Sequence, residues 1–291
     1  MLSKKRIWII AFVILATILG ASYLVYDLYF RLPVDVPLEE SGSEENEECY
    51  FGNFNVLILG LDGRKGINDR SDTIILASLD EKNKKAQLLS IPRDTRVKVK
   101  GAWDKINAAY AYGGLDLTTE TLTKFLNVEI DRYVIINFNS LVRLVDMVDG
   151  IDLNVPVRMY KPLEGIDLQP GQQHLEGKQV LAYSRFRDTK AGDIDRARRQ
   201  QEVIQLLAEK VVQGKNITHL PEMFNNAKEN VDTDLTIREM GALVRLAPAI
   251  IDNGVATKVF PGENKKIDGI WYWEPDLSNM VEVLSITSQK E

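Results

Sequence analysis

The stretch Asn55–Arg96, NVLILGLDGRKGINDRSDTIILASLDEKNKKAQLLSIPRDTR, decides the fold. Val56–Leu61 and Thr73–Leu79 are aliphatic, β-branched runs of strand length, and Ala86–Ile91 is a third, joined to the second by the charged turn Glu81–Lys85. Charges gather where these runs end. Asp62 and Arg64 follow the first, Arg70 and Asp72 open the second, and Arg93, Asp94 and Arg96 follow the third. The ends of strands are where open α/β sheets build ligand sites.

Arginines that converge on one point repel each other unless an anion sits between them, and their planar fork of donors matches phosphate oxygens. Carboxylates among them add a second requirement, because Mg²⁺ is usually held by one or two protein carboxylates together with the substrate's own phosphates. Asp62 and Asp72 are the natural pair for Mg²⁺, with Mn²⁺ as its substitute. Surface ion pairs bridging loops are the competing explanation of the same charges.

Working outward, LGLDGR (59–64), DRSDT (69–73), SIPRDT (90–95) and KINAAYAYGG (105–114) are followed by LEGKQVLAYSRFR (175–187) and GDIDRARRQQ (192–201). This ordered set, spanning Phe54 to Val212, resembles the LytR-CpsA-Psr family, bacterial enzymes that move cell-wall polymers from a lipid carrier onto peptidoglycan. Ala108 stands where the family often has histidine, and Asp69 where it commonly has glycine; neither change removes a charge that carries a role.

The resemblance implies a phosphotransferase whose donor is a polyprenyl (undecaprenyl) pyrophosphate carrying teichoic acid, capsule or a similar glycan, and whose acceptor is peptidoglycan. It implies a pyrophosphate site built from Arg64, Arg70, Arg93, Arg96, Lys105, Arg185, Arg187, Arg196 and Gln200. Arg93 is expected to neutralise charge on the phosphoryl oxygens there, and Asp94 or Asp193 to take the acceptor proton. It also implies a lipid groove between sheet and helices around Ile106, Tyr110, Leu122 and Phe125, although those residues equally have the composition of plain core. A pyrophosphatase using the same residues, and a lipid-binding regulator without turnover, are the alternative readings.

The ends of the chain set its topology. Lys4, Lys5 and Arg6 precede Ile7–Tyr26, twenty residues without a charge, long enough to span a ~30 Å hydrocarbon layer as a helix. Residues 1–6 are thus expected in the cytoplasm, 7–26 in the membrane and the remainder outside. Cleavage near Gly20, Ala21 and Ser22 is the competing outcome. Residues 27–50, with Pro33, Pro37 and an acidic run from Glu39 to Glu48, cannot bury enough apolar surface to order themselves and form an acidic linker. The net charge of −6 argues against a nucleic-acid partner. Cys49 is the single cysteine, so no internal disulfide forms. His174 and His219 are the two histidines, too few for a histidine-dependent triad or a zinc site.

Residues 51–291 are expected to form one catalytic domain, with the family match over 54–212 and a completion over 213–291. Helical patterns over Ile106–Tyr112 and Thr118–Leu126 are split by Gly113 and Gly114. A strand over Tyr133–Phe138 precedes a helix over Ser140–Val148 capped by Asn139, and a strand over Ile151–Val155 follows. Helices are also expected over Gln179–Phe186 and Ile194–Val212. In the latter, Arg196, Arg199 and Gln200 share a face aimed at one ligand. Further helices are expected over Thr218–Asn230, Thr236–Ile251 (capped by Thr236 and Glu239) and Asp276–Ser285, with strands over Ala256–Phe260 and Gly269–Trp273. Trp271, Tyr272 and Trp273 are expected to cover core, with contact to sugars as the alternative reading. Alternating helices and strands predict a three-layer α-β-α sandwich around a central mixed sheet, preceded by the transmembrane helix.

Overall fold

The computed structural model describes residues 51–61, 70–189, 192–212 and 231–284. The expected membrane helix, the acidic linker, the helix over Thr218–Asn230, Asp62 and Arg64 lie outside the described residues.

Strands β1 (Asn53–Leu61), β2 (Ser71–Asp80) and β3 (Lys85–Ser90) form an antiparallel meander, followed by the hairpin of β4 (Arg96–Val99) and β5 (Ala102–Lys105). Helix α1 (Ala108–Leu126), strand β6 (Arg132–Asn137) and helix α2 (Phe138–Met147) come next. Four short strands then make two hairpin pairs: β7 (Ile151–Val155) with β10 (Gly171–Leu175), and β8 (Met159–Lys161) with β9 (Ile166–Leu168). Helices α3 (Gly177–Arg185) and α4 (Asp193–Val212) precede β11 (Asp232–Thr233) and α5 (Ile237–Asn253). Strands β12 (Val255–Val259), β13 (Gly262–Ile267) and β14 (Ile270–Pro275) and a short α6 (Met280–Val283) complete the order.

The central sheet runs β11-β6-β1-β2-β3-β12. It is mixed, with β1 parallel to β6, β3 parallel to β12, and the remaining neighbours antiparallel. Period-two alternation along β1 sends Leu57 and Leu59 to one face, where they pack with Ile74, Leu76 and Leu89 against Leu122 and Leu126 of α1. Phe54 and Val56 go to the other face and meet Leu79 and Ile250 of α5. Each face of the sheet is thus covered by a helix. A separate cluster joins Val145 of α2, Val180 and Tyr183 of α3, Val203 of α4 and the two small hairpins beside the sheet.

Several boundaries depart from expectation. Gly113 and Gly114 interrupt α1 with non-helical backbone, Gly114 at φ 62°, so the two expected helices join end to end across a kink. The cap of α2 is Asn137, two residues before the expected Asn139; its side chain accepts from Ser140 N at 2.9 Å, and the strand ends one residue earlier than its composition suggests. The closing helix shrinks to Met280–Val283.

Helix α5 begins with the expected capping box: Glu239 Oε2 accepts from Thr236 N at 2.7 Å, and Thr236 Oγ1 accepts from Glu239 N at 3.2 Å. The buried Glu239 also pairs with Arg132 of β6 at 2.8 Å, tying the helix to the sheet. Burial alone would raise its carboxyl, but the Thr236 and Arg132 hydrogen bonds outweigh it and hold the group below the usual range. A depressed acid stabilises the fold above its unfolded range and loses that contribution as pH falls through the folded value. Glu239→Gln is therefore expected to cost about 1.5–3 kcal/mol at neutral pH. It should also remove part of the loss of stability below about pH 4.3, checked by denaturant unfolding across pH.

Candidate active site

Pro92 lacks an N–H and ends the β3 ladder, after which the chain turns sharply. Thr95 N donates to Pro92 O at 2.9 Å, Ile106 N to Thr95 O at 2.8 Å, and Trp273 N to Asp94 O at 2.9 Å. Backbone bonds thus hold Arg93 and Asp94 at the end of β3. Helix α4 is seated by Gln201, buried, whose amide donates to Leu88 O at 3.0 Å and to Lys258 O at 2.7 Å. One residue away, Gln200 faces the site, as does Arg196 one turn earlier.

Two cavities open at the carboxyl ends of β1, β3, β6 and β12. The smaller, about 270 Å³, is lined by Ser90, Arg93, Asp94, Thr189, Asp193 and Trp273 among others. The larger, about 440 Å³, carries Arg185 and Arg187 and an apolar wall that includes Leu61, Ile136, Leu141, Leu181, Val203 and Leu207. Asp72, Thr73, Arg196 and Gln200 line both and form the shared wall. The charges divide unevenly. The smaller cavity has two arginines against Asp72, Asp94 and Asp193, whereas the larger has Lys161, Arg185, Arg187 and Arg196 against Asp72 and Glu164.

Ion pairs knit the wall together. Arg93 Nη1 donates to Asp72 Oδ1 at 2.5 Å, and Arg93 Nε lies 3.7 Å from Asp94. Lys105 Nζ is 2.8 Å from Asp94. Asp193, at the start of α4, pairs with Arg196 at 3.1 Å and Arg187 at 3.6 Å, so it is a site charge and not simply a cap. Burial pulls the Arg93 guanidinium down, but Asp72, Asp94 and Asp193 together hold it above its ordinary value. Arg93 Nε, Arg196 Nε, Ser90 Oγ and Thr189 Oγ1 are all buried without a hydrogen-bond partner, and all four residues line the smaller cavity. Unmet buried polar atoms gathered at one cavity are the mark of a polar ligand site.

Other expected residues lie elsewhere. Arg96 opens β4, and strand alternation turns it from the site: it sits over the Trp103 ring at 4.1 Å and lies 3.6 Å from Glu274. Arg70 is exposed and lines neither cavity; its charge acts on Tyr112. Arg199 donates to Tyr183 O at 3.1 Å and to Phe186 O, fastening the end of α3 instead of meeting a ligand. Ile106 and Leu122 are core, with Tyr110 and Phe125 packed against it, and none of the four lines either cavity. The apolar cavity lies at α2, α3 and α4, where amphipathic faces carry the same pattern as faces turned to core. Among the described residues no three carboxylate, imidazole or thiolate groups converge on one metal position.

A family model described as the LytR_cpsA_psr family matches residues 36–289. The chain belongs to that family. One relative is TagV of Bacillus subtilis (strain 168), a polyisoprenyl-teichoic acid–peptidoglycan teichoic acid transferase. It is 35% identical over 244 residues, which is 79% of this chain and 62% of that protein, so the chain spans less than two thirds of TagV. TagU of Bacillus cereus, a transferase of the same description, is 32% identical over 285 residues, 93% of this chain and 92% of that protein. The crystal structure of B. subtilis TagV superposes with a TM-score of 0.73, covering 81% of this chain and 95% of that one. The LytR-CPS2A-psr family protein YwtF (TagT) with bound octaprenyl pyrophosphate lipid superposes with a TM-score of 0.65 at 26% identity, covering 84% of this chain and 93% of that one.

Proposed function

We propose that this protein is a phosphotransferase that moves a glycopolymer from a polyprenyl pyrophosphate carrier to a peptidoglycan hydroxyl, forming a phosphodiester. The observation that carries the reading is the division of charge about one wall. Arg185 and Arg187 sit with the apolar cavity, Asp94 and Asp193 with the polar one, and Arg196, Gln200 and Asp72 stand between.

In-line displacement at phosphorus needs the entering and leaving oxygens on opposite sides. The apolar cavity takes the prenyl chain, and Arg185 and Arg187 take the lipid phosphate that leaves. Arg93 and Arg196 hold the phosphoryl oxygens at the wall, where charge develops in the transition state. The acceptor hydroxyl enters from the smaller cavity. Its oxygen bonds to phosphorus, the bond to the lipid phosphate breaks, and the proton passes to Asp94 or Asp193 on the same side. Losing a proton acceptor costs about 10²–10⁴-fold, so comparing Asp94→Asn with Asp193→Asn identifies which carboxylate serves.

Asp72 is a hard-oxygen donor on the shared wall, and Asp62 follows the neighbouring strand in sequence; such a pair suits Mg²⁺ shared with substrate phosphates better than a closed cage. When bound, the ion would offset charge on the phosphoryl oxygens. The uncharged run Ile7–Tyr26 anchors the protein, with residues 1–6 cytoplasmic, 27–50 as spacer and 51–291 as the extracellular catalytic domain in the three-layer arrangement.

The test supplies purified full-length protein with Mg²⁺, a lipid-linked disaccharide donor and peptidoglycan oligomers, and follows products by mass spectrometry. A phosphodiester-linked glycan is expected. Phosphorylated polymer released only to water would replace transfer by hydrolysis.

A further inference from the structure

One edge strand, Gly269–Trp273, was expected here, its aromatics covering core or contacting sugars; the hairpin of β13 and β14 reaches the site. Trp273 and its cross-strand neighbour Asn264 both line the smaller cavity. The indole is fixed in place: Trp273 N donates to Asp94 O at 2.9 Å, Nε1 donates to Phe260 O at 3.2 Å, and Trp273 forms a parallel bridge with Thr95. A Cβ on Gly262 would lie 2.6 Å from Trp273 Nε1, so glycine there lets the ring pass close to the backbone. Trp271 lies two residues along the same face of the strand, about 6.8 Å away by strand geometry. It is 59% exposed, which is unusual for tryptophan and gains nothing for the core.

We propose that this hairpin is the acceptor-glycan subsite: the hexosamine whose hydroxyl attacks sits in the smaller cavity against Trp273 and Asn264, and the next sugar of the strand stacks on Trp271. The inference rests on the transfer reading above and adds the residues that select the acceptor.

Charge decides between acceptor and donor polymer as the occupant. The smaller cavity holds more carboxylates than arginines, so a second anionic group is disfavoured there and a neutral polyhydroxyl ligand is favoured. The unmet Ser90 and Thr189 hydroxyls supply hydrogen-bond capacity suited to sugar hydroxyls and acetamido groups, and the Asn264 amide offers both donor and acceptor. Flat apolar rings with a polar border match the C–H face of a pyranose.

The experiment uses the full-length protein, a polyprenyl pyrophosphate-linked disaccharide as donor, and two acceptors: N-acetylmuramic acid as a single sugar, and one N-acetylglucosaminyl–N-acetylmuramyl repeat. Trp271→Ala is expected to raise the KM for the disaccharide repeat about tenfold, a stacking contribution of about 1.4 kcal/mol, and to leave the KM for the single sugar within about twofold. Asn264→Ala and Trp273→Phe are expected to raise the KM for both acceptors, with the dissociation constant for octaprenyl pyrophosphate unchanged. A merely structural hairpin would not distinguish acceptor lengths. Unchanged acceptor KM in all three variants, or a loss of donor affinity equal to the loss of acceptor affinity, would overturn the proposal. A wild-type protein that releases the polymer only to water would instead overturn the transfer reading, and this inference with it.

Discussion

Arg93→Ala is expected to lower transfer by about 10³–10⁵-fold, the range seen when a phosphoryl-transfer enzyme loses an arginine that touches the transferring group. The side chain is only partly exposed, pairs with Asp72 at 2.5 Å, and keeps a buried Nε without a hydrogen-bond partner at the cavity. In the proposed transfer its removal takes away a cation that holds the phosphoryl oxygens and leaves Asp72 without its ion-pair partner. Folding should survive, because the turn that carries residue 93 is held by the backbone bonds of Thr95, Ile106 and Trp273. Arg93→Lys keeps the charge without the fork of donors and should recover only part of the rate. The check is kcat/KM together with the unfolding temperature; a variant within tenfold of wild type with an unchanged Tm would contradict the assignment.

Gly177→Ala is expected to give a large loss of stability from a single added methyl group. A Cβ at this position would lie 2.3 Å from Val142 O and 2.8 Å from its carbonyl carbon, and backbone atoms cannot swing away as a flexible side chain does. Helices α2 and α3 would have to separate, breaking the bond from Gly177 N to Asp146 Oδ1 at 2.8 Å. Overpacking of this kind costs about 3 kcal/mol, which for a domain of this size lowers Tm by about 6–12 °C. The consequence extends to binding, since Leu141 on α2 and Leu181 and Arg185 on α3 line the larger cavity. Calorimetry and titration with octaprenyl pyrophosphate should report both losses; an unchanged Tm would mean the two helices are not in close contact.

What the sequence made legible follows from how strongly each residue is constrained locally. The three-strand meander, the capping box at Thr236 and Glu239 and the glycine break in α1 are short-range features, and each was readable from neighbours alone. The hairpin of β4 and β5 was missed, although Val97, Val99 and the turn at Lys100 and Gly101, both at positive φ, carried a signal. Arg96 shows the limit of counting charges: it stands three residues from Arg93, yet the start of a strand turns it towards Trp103 and Glu274. The apolar cavity was not legible at all, because Leu141, Leu181 and Leu207 have the spacing of ordinary helix faces and only the tertiary arrangement leaves space in front of them. Trp273 was half legible, since its aromatic run admits sugar contact as well as core cover, but β13, which brings Asn264 beside it, has the composition of an exposed strand.

The central claim is that one diphosphate lies on the wall between the two cavities. A crystal structure of the protein with octaprenyl pyrophosphate tests it most directly. The account predicts the prenyl chain among Leu141, Leu181 and Leu207, the terminal phosphate at Arg93 and Arg196, and the smaller cavity left open beside Trp273. A chain lying instead along Ile106, Tyr110 and Phe125, or phosphates that touch neither Arg93 nor Arg196, would contradict it.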